Sequence, residues 1–342
     1  MKIKSISNRF MIVGDYEELL NRRETTAAID RLNQFFKEKL CSNLNLQKVN
    51  APMFVQSKTG MNDMLNGVER PVEFDANDAT LHPLQVVHSL AKWKRDALKR
   101  YGFVPGEGIL TEMRAIRRDE ELDNLHSIYV DQWDWELAIT KEERHVATLK
   151  STVENIYSAV RATEQYISGL YPQITPILPE KLHYVTTQEL EDQYPDLTPK
   201  AREDRIAEKY GAVFIMQIGG KLNSGKKHDG RSPDYDDWSL NGDLVVWFPV
   251  LQLSFELSSM GIRVDEDALI TQLAESNHED WSELPFHQSL LNHELPYSIG
   301  GGIGQSRLGM FMLRKAHVGE VQPSVWPTDM IEQCEQARIF LL

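Results

Sequence analysis

The sequence predicts an α+β fold in which a large antiparallel β-sheet is flanked by helices. Three observations carry that expectation. Strand-like segments come in pairs with short connections, 108–117 with 127–135 and 244–250 with 254–264, which suits antiparallel pairing. Long helical patterns are mixed among those pairs. No Pro/Gly/Ser-rich linker, internal repeat or low-complexity tract divides the chain, so residues 1–342 read as a single domain.

The elements follow in order. A first helix is expected over about 25–41, where Ile29, Leu32, Phe36 and Leu40 share one stripe. It leads into a strand-like stretch at 44–49 and then Ala51-Pro52. Residues 86–95 read as an extended stretch turning into a helix, with Ser89 as the cap. After the first strand pair comes a second strong helix over 143–170, where Val146, Leu149, Val153, Ile156, Val160 and Ile167 repeat at helical spacing. Further strands are expected at 181–187 and 212–218, ahead of the second pair. Near the end, Gly300-Gly301-Gly302-Ile303-Gly304-Gln305-Ser306-Arg307 reads as a loop with no strand directly before it. The loop opens into the apolar run 308–313, so Arg307 falls in the first turn of a helix. Gln305 stands where G-x-G-x-x-G needs its third glycine, which argues against a dinucleotide loop.

Bulk properties exclude several classes. A net charge of −14 argues against a broad nucleic-acid surface, since phosphate binding needs clustered Lys and Arg. The two cysteines, Cys41 and Cys334, are far apart and form no C-x-x-C, so neither a disulfide framework nor a zinc site is expected. The apolar stretch near the start is too short for a signal peptide, and no run approaches a membrane span, so a cytoplasmic protein is expected. P-loop, zincin and α/β-hydrolase motifs are all missing.

Candidate chemistry concentrates in a few places. Arg117 stands at the mouth of the first strand pair, before a charged turn, and an arginine there can grip a phosphate bidentately; the plainer reading is a surface Arg–Glu pair. On the returning strand Gln132 and Asp134 share one face, opposite Asp131, Trp133 and Trp135, the two tryptophans reading as packing. Asp243 and Glu256 sit among apolar strand residues, where a carboxylate needs a partner or a metal. Two carboxylates beside a triphosphate suit Mg²⁺; the alternative for Glu256 is an ion pair with Arg263. Lys94 lies about one turn beyond Ser89, on what is otherwise an exposed basic face. Residues 231–238 form a polar loop in which a carboxylate can accept ribose hydroxyls. The loop 61–67 holds Asp63, a base or a turn residue.

Together these segments resemble the catalytic domain of class II aminoacyl-tRNA synthetases. The helix-plus-strand around 25–55 with Pro52 looks like that family's first motif, the Arg117 hairpin like its second, and GGGIGQSRLGM with Arg307 like its third. More closely, VVHSLAKWKR, LHSIYVDQWDWE, RSPDYDDWS, FELSSMGIRVD and IGGGIGQSR resemble the ammonia-dependent asparagine synthetases, the A type of aspartate–ammonia ligase, over nearly the whole chain. The glutamine-dependent B type needs an N-terminal cysteine, and this chain begins Met1-Lys2-Ile3.

The resemblance implies an ATP-dependent ligase of amino-acid biosynthesis. It would join L-aspartate and ammonia into L-asparagine, releasing AMP and diphosphate through a β-aspartyl-adenylate, with Mg²⁺ as cofactor. It also implies a homodimer meeting through residues 25–55, and no nucleic-acid or membrane partner. Carried across by position, Arg117 and Arg307 would bind ATP from opposite sides of its α-phosphate. Asp236, Glu256 and Ser259 would join them at the nucleotide, and Asp243 with Glu256 would hold Mg²⁺. Ser89, Lys94, Gln132, Ser258 and Arg263 would grip aspartate. Asp63, or else Asp134, would bind ammonium and accept its proton, since ammonia arrives protonated at neutral pH. Two other readings compete. One is a paralogue that loads aspartate onto tRNA, although the stretch before residue 25 is too short for an anticodon-binding module. The other is an inactive amino-acid sensor, which should have lost Arg117 and Arg307.

Overall fold

The computed structural model describes residues 3–5, 10–14, 16–65 and 69–342. Of the loop at 61–67, residues 66 and 67 therefore lie outside the described residues, as do 1, 2, 6–9 and 15 of the N-terminal stretch.

Helix α1 (Arg22–Leu44) starts at a capping box: the Asn21 side chain accepts the Glu24 N–H while the Glu24 carboxylate accepts the Asn21 N–H. It stops at Asn45, which takes a left-handed conformation. Of its expected stripe, Leu32, Phe36 and Leu40 are fully buried within the chain, with Ala28 in place of Ile29, which is only partly buried. That burial accounts for the apolar face without any second copy. Strand β1 (Leu46–Lys48) follows. Helix α2 (Ala91–Tyr101) begins one residue later than a Ser89 cap requires: Leu90 is the cap residue, and Ser89 Oγ reaches only the first helical amide, Ala91 N–H, at 3.1 Å. Strands β2 (Gly108–Ile116) and β3 (Tyr129–Ala138) form the expected antiparallel pair. Helix α3 (Val146–Leu170) starts after 143 because His145 Nδ1 accepts the Thr148 N–H and so fixes the cap there.

Strands β4 (His183–Thr186) and β5 (Ala212–Met216) precede β6 (Asp236–Phe248) and β7 (Leu253–Arg263). Strand β6 is longer than expected and takes Asp236 to Trp238 out of the polar loop. The Gln272 side chain accepts the Trp238 N–H at 2.8 Å and so substitutes for missing ladder partners at that end. The chain ends its sheet with β8 (Ser298–Gly304), followed directly by α4 (Gln305–Met312).

The main sheet has eight strands in the order β1-β2-β3-β8-β7-β6-β5-β4. Its six central strands are antiparallel, as expected, but β1 runs parallel to β2 and β4 parallel to β5, so the sheet is mixed at both edges. The glycine segment at 300–304 is a correction: it is a central strand, not a loop. Its ladder comes from β3 and β7 on either side, so it needs no strand-favouring side chains of its own.

One face of the sheet carries the core. Trp133 and Trp135 are fully buried there with Phe248, Phe255 and Phe311, and the Phe36 and Trp133 rings lie 4.8 Å apart. Those tryptophans pack, as their alternation predicts. The same alternation turns Gln132, Asp134 and Glu136 to the other face. Two small sheets complete the strands: Ile3–Ser5 with Met11–Val13, and Phe54–Gln56 and Glu73–Ala76 with Ala79–Val86. Among the described residues no helix is long and apolar enough to cross a membrane.

Candidate active site

A cavity of about 470 Å³ opens over the face of the sheet opposite the core. Asp63, Ser89, Lys94, Arg117, Gln132, Asp134, Asp236, Glu256, Ser259, Arg263 and Arg307 all line it. Residues from distant parts of the chain meet because β3, β8, β7 and β6 are neighbours and the β2–β3 hairpin and α4 close one end. Two expected residues are not on its wall. Ser258 Oγ donates to the Gly302 carbonyl at 3.0 Å, and Asp243 lies behind Arg231 in a short ion pair.

At the hairpin end, Arg117 follows β2, and its N–H donates to the Ile128 carbonyl at 2.9 Å, which closes the pair of strands. Its guanidinium stands 3.8 Å from Glu120, the pair a surface hairpin would make, yet its Nε is buried with no hydrogen-bond partner among the described residues. Arg307 is in the first turn of α4, as expected, 3.6 Å from the Glu256 carboxylate. Glu256 reaches this face through a bulge. Strand β7 pairs Ser258 with Leu244 but Glu256 with Val245, and the shift puts Glu256 on the same side as Ser259 and Asp243. Enclosure opposes ionisation of Glu256, but the Arg307, Arg231 and Arg117 guanidiniums outweigh it and hold the carboxyl below its usual range. Glu256 thus has Arg307, not Arg263, as its partner.

Arg263 has other partners. Its Nη2 donates to Glu136 at 2.7 Å and its Nη1 makes a short contact with Asp236. Burial opposes both charges, but the Arg263 guanidinium holds Glu136 below the usual carboxylate range. Asp236 is pushed up, burial exceeding what Arg263 returns. Lys94 Nζ donates to Asp134 at 2.5 Å and to the Gly301 carbonyl at 2.8 Å. Sequence reasoning missed Glu136, although it continues the period-two face of Gln132 and Asp134. It also missed His126 and Arg231, polar residues one turn or one strand from those singled out. The glycines of β8 make room for this network: a Cβ at Gly300 would lie 1.9 Å from Glu136 Oε2 and 2.4 Å from Arg263 Nη2.

Two more carboxyls matter, Asp63 on the wall and Asp243 behind it. Asp63 is buried; its Oδ1 accepts the Leu65 N–H at 2.9 Å while its Oδ2 has no partner among the described residues. Burial pushes its carboxyl up, against the pull of nearby Lys92. Asp243 is pushed up to about 7, burial and the Glu256 charge together exceeding the pull of Arg231. Its Oδ1 is buried without a partner among the described residues. That orphaned oxygen, facing the same side as Glu256, fits a hard cation with oxygen ligands. Among the described residues no group of three or more His, Cys, Asp and Glu is placed to hold a metal by itself.

The family described as aspartate-ammonia ligase matches residues 23–338. The chain belongs to the aspartate–ammonia ligase family. It is 60% identical over 334 residues to the aspartate–ammonia ligase of Clostridium perfringens, covering 98% of this chain and 99% of that one. The aspartate–ammonia ligase of Ruminiclostridium cellulolyticum is 59% identical over 96% of this chain and 97% of its own. Among solved structures, Pyrococcus horikoshii asparaginyl-tRNA synthetase, complexed with asparaginyl-adenylate, superposes with a TM-score of 0.63 at 14% identity, over 90% of this chain and 73% of that one. The Entamoeba histolytica asparaginyl-tRNA synthetase gives 0.62 at 10% identity, over 88% and 67%. Those distant likenesses show that this aspartate–ammonia ligase family member has the class II synthetase fold.

Proposed function

We propose that the chain makes L-asparagine from L-aspartate and ammonia, using ATP and releasing AMP and diphosphate through a β-aspartyl-adenylate. Membership of the aspartate–ammonia ligase family supports the overall reaction. The observation that carries the mechanism is the convergence of Arg117 and Arg307 on one cavity that Lys94 and Arg263 also line. Adenylation gathers a carboxylate and a triphosphate, and fixed cations on both sides offset the repulsion.

In this reading Arg117, with an unpartnered Nε, and Arg307 grip the phosphates. Ser259 and Glu256 lie between them and the sheet. Lys94 and Arg263, with Ser89 and Gln132 beside them, hold the α-carboxylate of aspartate. The β-carboxylate is then left in line with the α-phosphorus. Asp134, Asp236 and Glu136 fix these cations and balance the α-ammonium; Asp236 serves aspartate through Arg263 more directly than it serves the nucleotide. Ser258, turned into the sheet, supports β8. Asp243 and Glu256 would hold Mg²⁺, with phosphate oxygens completing its shell, and the ion would supply further positive charge at the triphosphate. Asp63 binds ammonium: it and Asp134 each keep a buried Oδ2 with no partner among the described residues, but the Asp134 charge is already paired with Lys94 through Oδ1.

Apolar side chains also support a homodimer through 25–55. Met53, Phe54 and Phe74 are exposed on the small sheet, the two phenylalanines edge to face at 5.2 Å, while the α1 stripe is already covered. Light scattering on the purified chain tests this, a monomer counting against it. The reaction is tested by incubating the protein with ATP, Mg²⁺ and aspartate, with and without ammonium. Asparagine and AMP formed only with ammonium are expected; AMP release that needs RNA instead would replace this reading with tRNA charging.

A further inference from the structure

His88 precedes Ser89 at the mouth of α2 and lines the same cavity as Asp63. Its Nδ1 lies 3.1 Å from the Asp63 backbone carbonyl. A carbonyl only accepts, so Nδ1 carries the proton and Nε2 presents a lone pair. That Nε2 is buried and has no hydrogen-bond partner among the described residues, and Asp63 Oδ2 is in the same condition. The two residues are held together by one side chain: Asn62 Oδ1 accepts both the Asp63 N–H at 3.0 Å and the His88 N–H at 2.9 Å. Asn62 Nδ2 is tied in turn to the Val86 carbonyl. One side chain therefore fixes the backbones of two residues on the same cavity, each with an unpartnered acceptor, one charged and one neutral. That is the complement of a small cation made only of N–H donors.

We propose that His88 Nε2 is the base that deprotonates ammonium, while the Asp63 carboxylate supplies the charge that holds the ion. The inference rests on the ligase reading above and divides the work at its ammonium site. One N–H bond of ammonium breaks as the Nε2–H bond forms. The freed nitrogen lone pair attacks the β-carbonyl carbon of the adenylate, and the C–O bond to AMP breaks with its electrons leaving on the phosphate oxygen. The second proton, lost as the amide forms, passes to the Asp63 carboxylate. Moving the first proton from ammonium to imidazole leaves the charge beside Asp63 unchanged, so no net charge separation opposes the step. Burial pushes the His88 imidazole below its usual range; Arg117 adds to this, and Asp63 and Glu69 oppose it. The ring is thus unprotonated at neutral pH, the state a base needs.

The test uses the full-length protein and three readouts. His88→Asn keeps a donor for the Asp63 carbonyl and removes the basic nitrogen; His88→Gln is the second variant. In both, kcat/KM for ammonium should fall by about 100-fold, within the span usual for a general base. Aspartate-dependent ATP–diphosphate exchange, which needs no ammonium, should change little. Hydroxylamine, largely unprotonated at neutral pH, should still give the hydroxamate. Ammonium-dependent synthesis within a few-fold of the unmodified chain overturns the assignment. So does a parallel loss of exchange and hydroxamate in both variants, which would make His88 a support for the Asp63 loop. If the unmodified chain makes no asparagine from ammonium, it is the ligase reading that fails instead.

Discussion

Arg307 Nη2 lies 2.9 Å from His126 Nε2, so the N-terminus of α4 is tied to the β2–β3 hairpin through an imidazole. Arginine is always a donor, so Nε2 must accept, and the ring proton sits on Nδ1, 2.9 Å from both Asp123 oxygens. Burial pushes the Asp123 carboxyl up, but the His126 contacts outweigh it and keep the group ionised. Asp123 therefore orients His126, and His126 orients Arg307 toward Glu256 and the cavity. Replacing His126 by alanine should raise the KM for ATP about tenfold, the worth of one hydrogen bond to a charged group, and leave the KM for aspartate nearly unchanged. Exchange kinetics at varied ATP and aspartate check this. Equal changes in both constants would mean the hairpin as a whole has shifted.

Asp63→Asn keeps the shape of a buried side chain and removes its charge. Amide synthesis should drop by about 10² or more, the usual contribution of a positioned acid–base group, while ATP–diphosphate exchange continues. The pH dependence has a defined sign. Burial raises the Asp63 pKa, so its carboxylate is lost earlier than usual as pH falls, and ammonium use should decline on the acid side while exchange holds. Steady-state rates of both reactions across the acid range give the answer. Exchange lost together with synthesis would move Asp63 out of the ammonium role.

How much of this was legible in the sequence depends on the kind of signal. Strands β2, β3 and β7 announced themselves through alternating apolar residues, and α1 and α3 through helical stripes. Strand β8 did not, because Gly300, Gly301, Gly302 and Gly304 carry no pattern; the ladder and the space needed by Glu136 and Arg263 decide its conformation. The two cavity arginines were legible from position, since Arg117 ends a strand and Arg307 starts a helix. The partner of Glu256 was not. A bulge in β7 sets which way that side chain points, and nothing in FELSSMG signals a bulge. Likewise α1 showed an apolar face but not whether the chain or a second copy covers it.

Asp243 and Glu256 make a further prediction about metal dependence. A cation needs the ionised carboxylate, and the Asp243 carboxyl is pushed up to about 7. Below that value the metal must displace a proton. The free Mg²⁺ concentration giving half-maximal exchange should rise by about tenfold between about pH 8 and about pH 6. In Asp243→Asn the requirement should be higher at every pH and its pH dependence flatter. An unchanged Mg²⁺ requirement in that variant would assign the metal to other ligands.

Gly300→Ala probes the opposite wall of the cavity. The new methyl group would stand far inside contact distance of Glu136 Oε2 and Arg263 Nη2, the ends of two buried, paired side chains. The Glu136–Arg263 pair must then break or β8 must move. A broken buried pair leaves an uncompensated charge, which costs about 3–5 kcal/mol. The variant should therefore unfold at clearly lower denaturant concentration. Any folded fraction should show a raised KM for aspartate with the KM for ATP nearly preserved, since Arg117 and Arg307 stand on other elements. Chemical denaturation and exchange kinetics on the same preparation decide it. A variant with normal stability and normal aspartate affinity would mean that Arg263 neither depends on Glu136 nor touches the substrate.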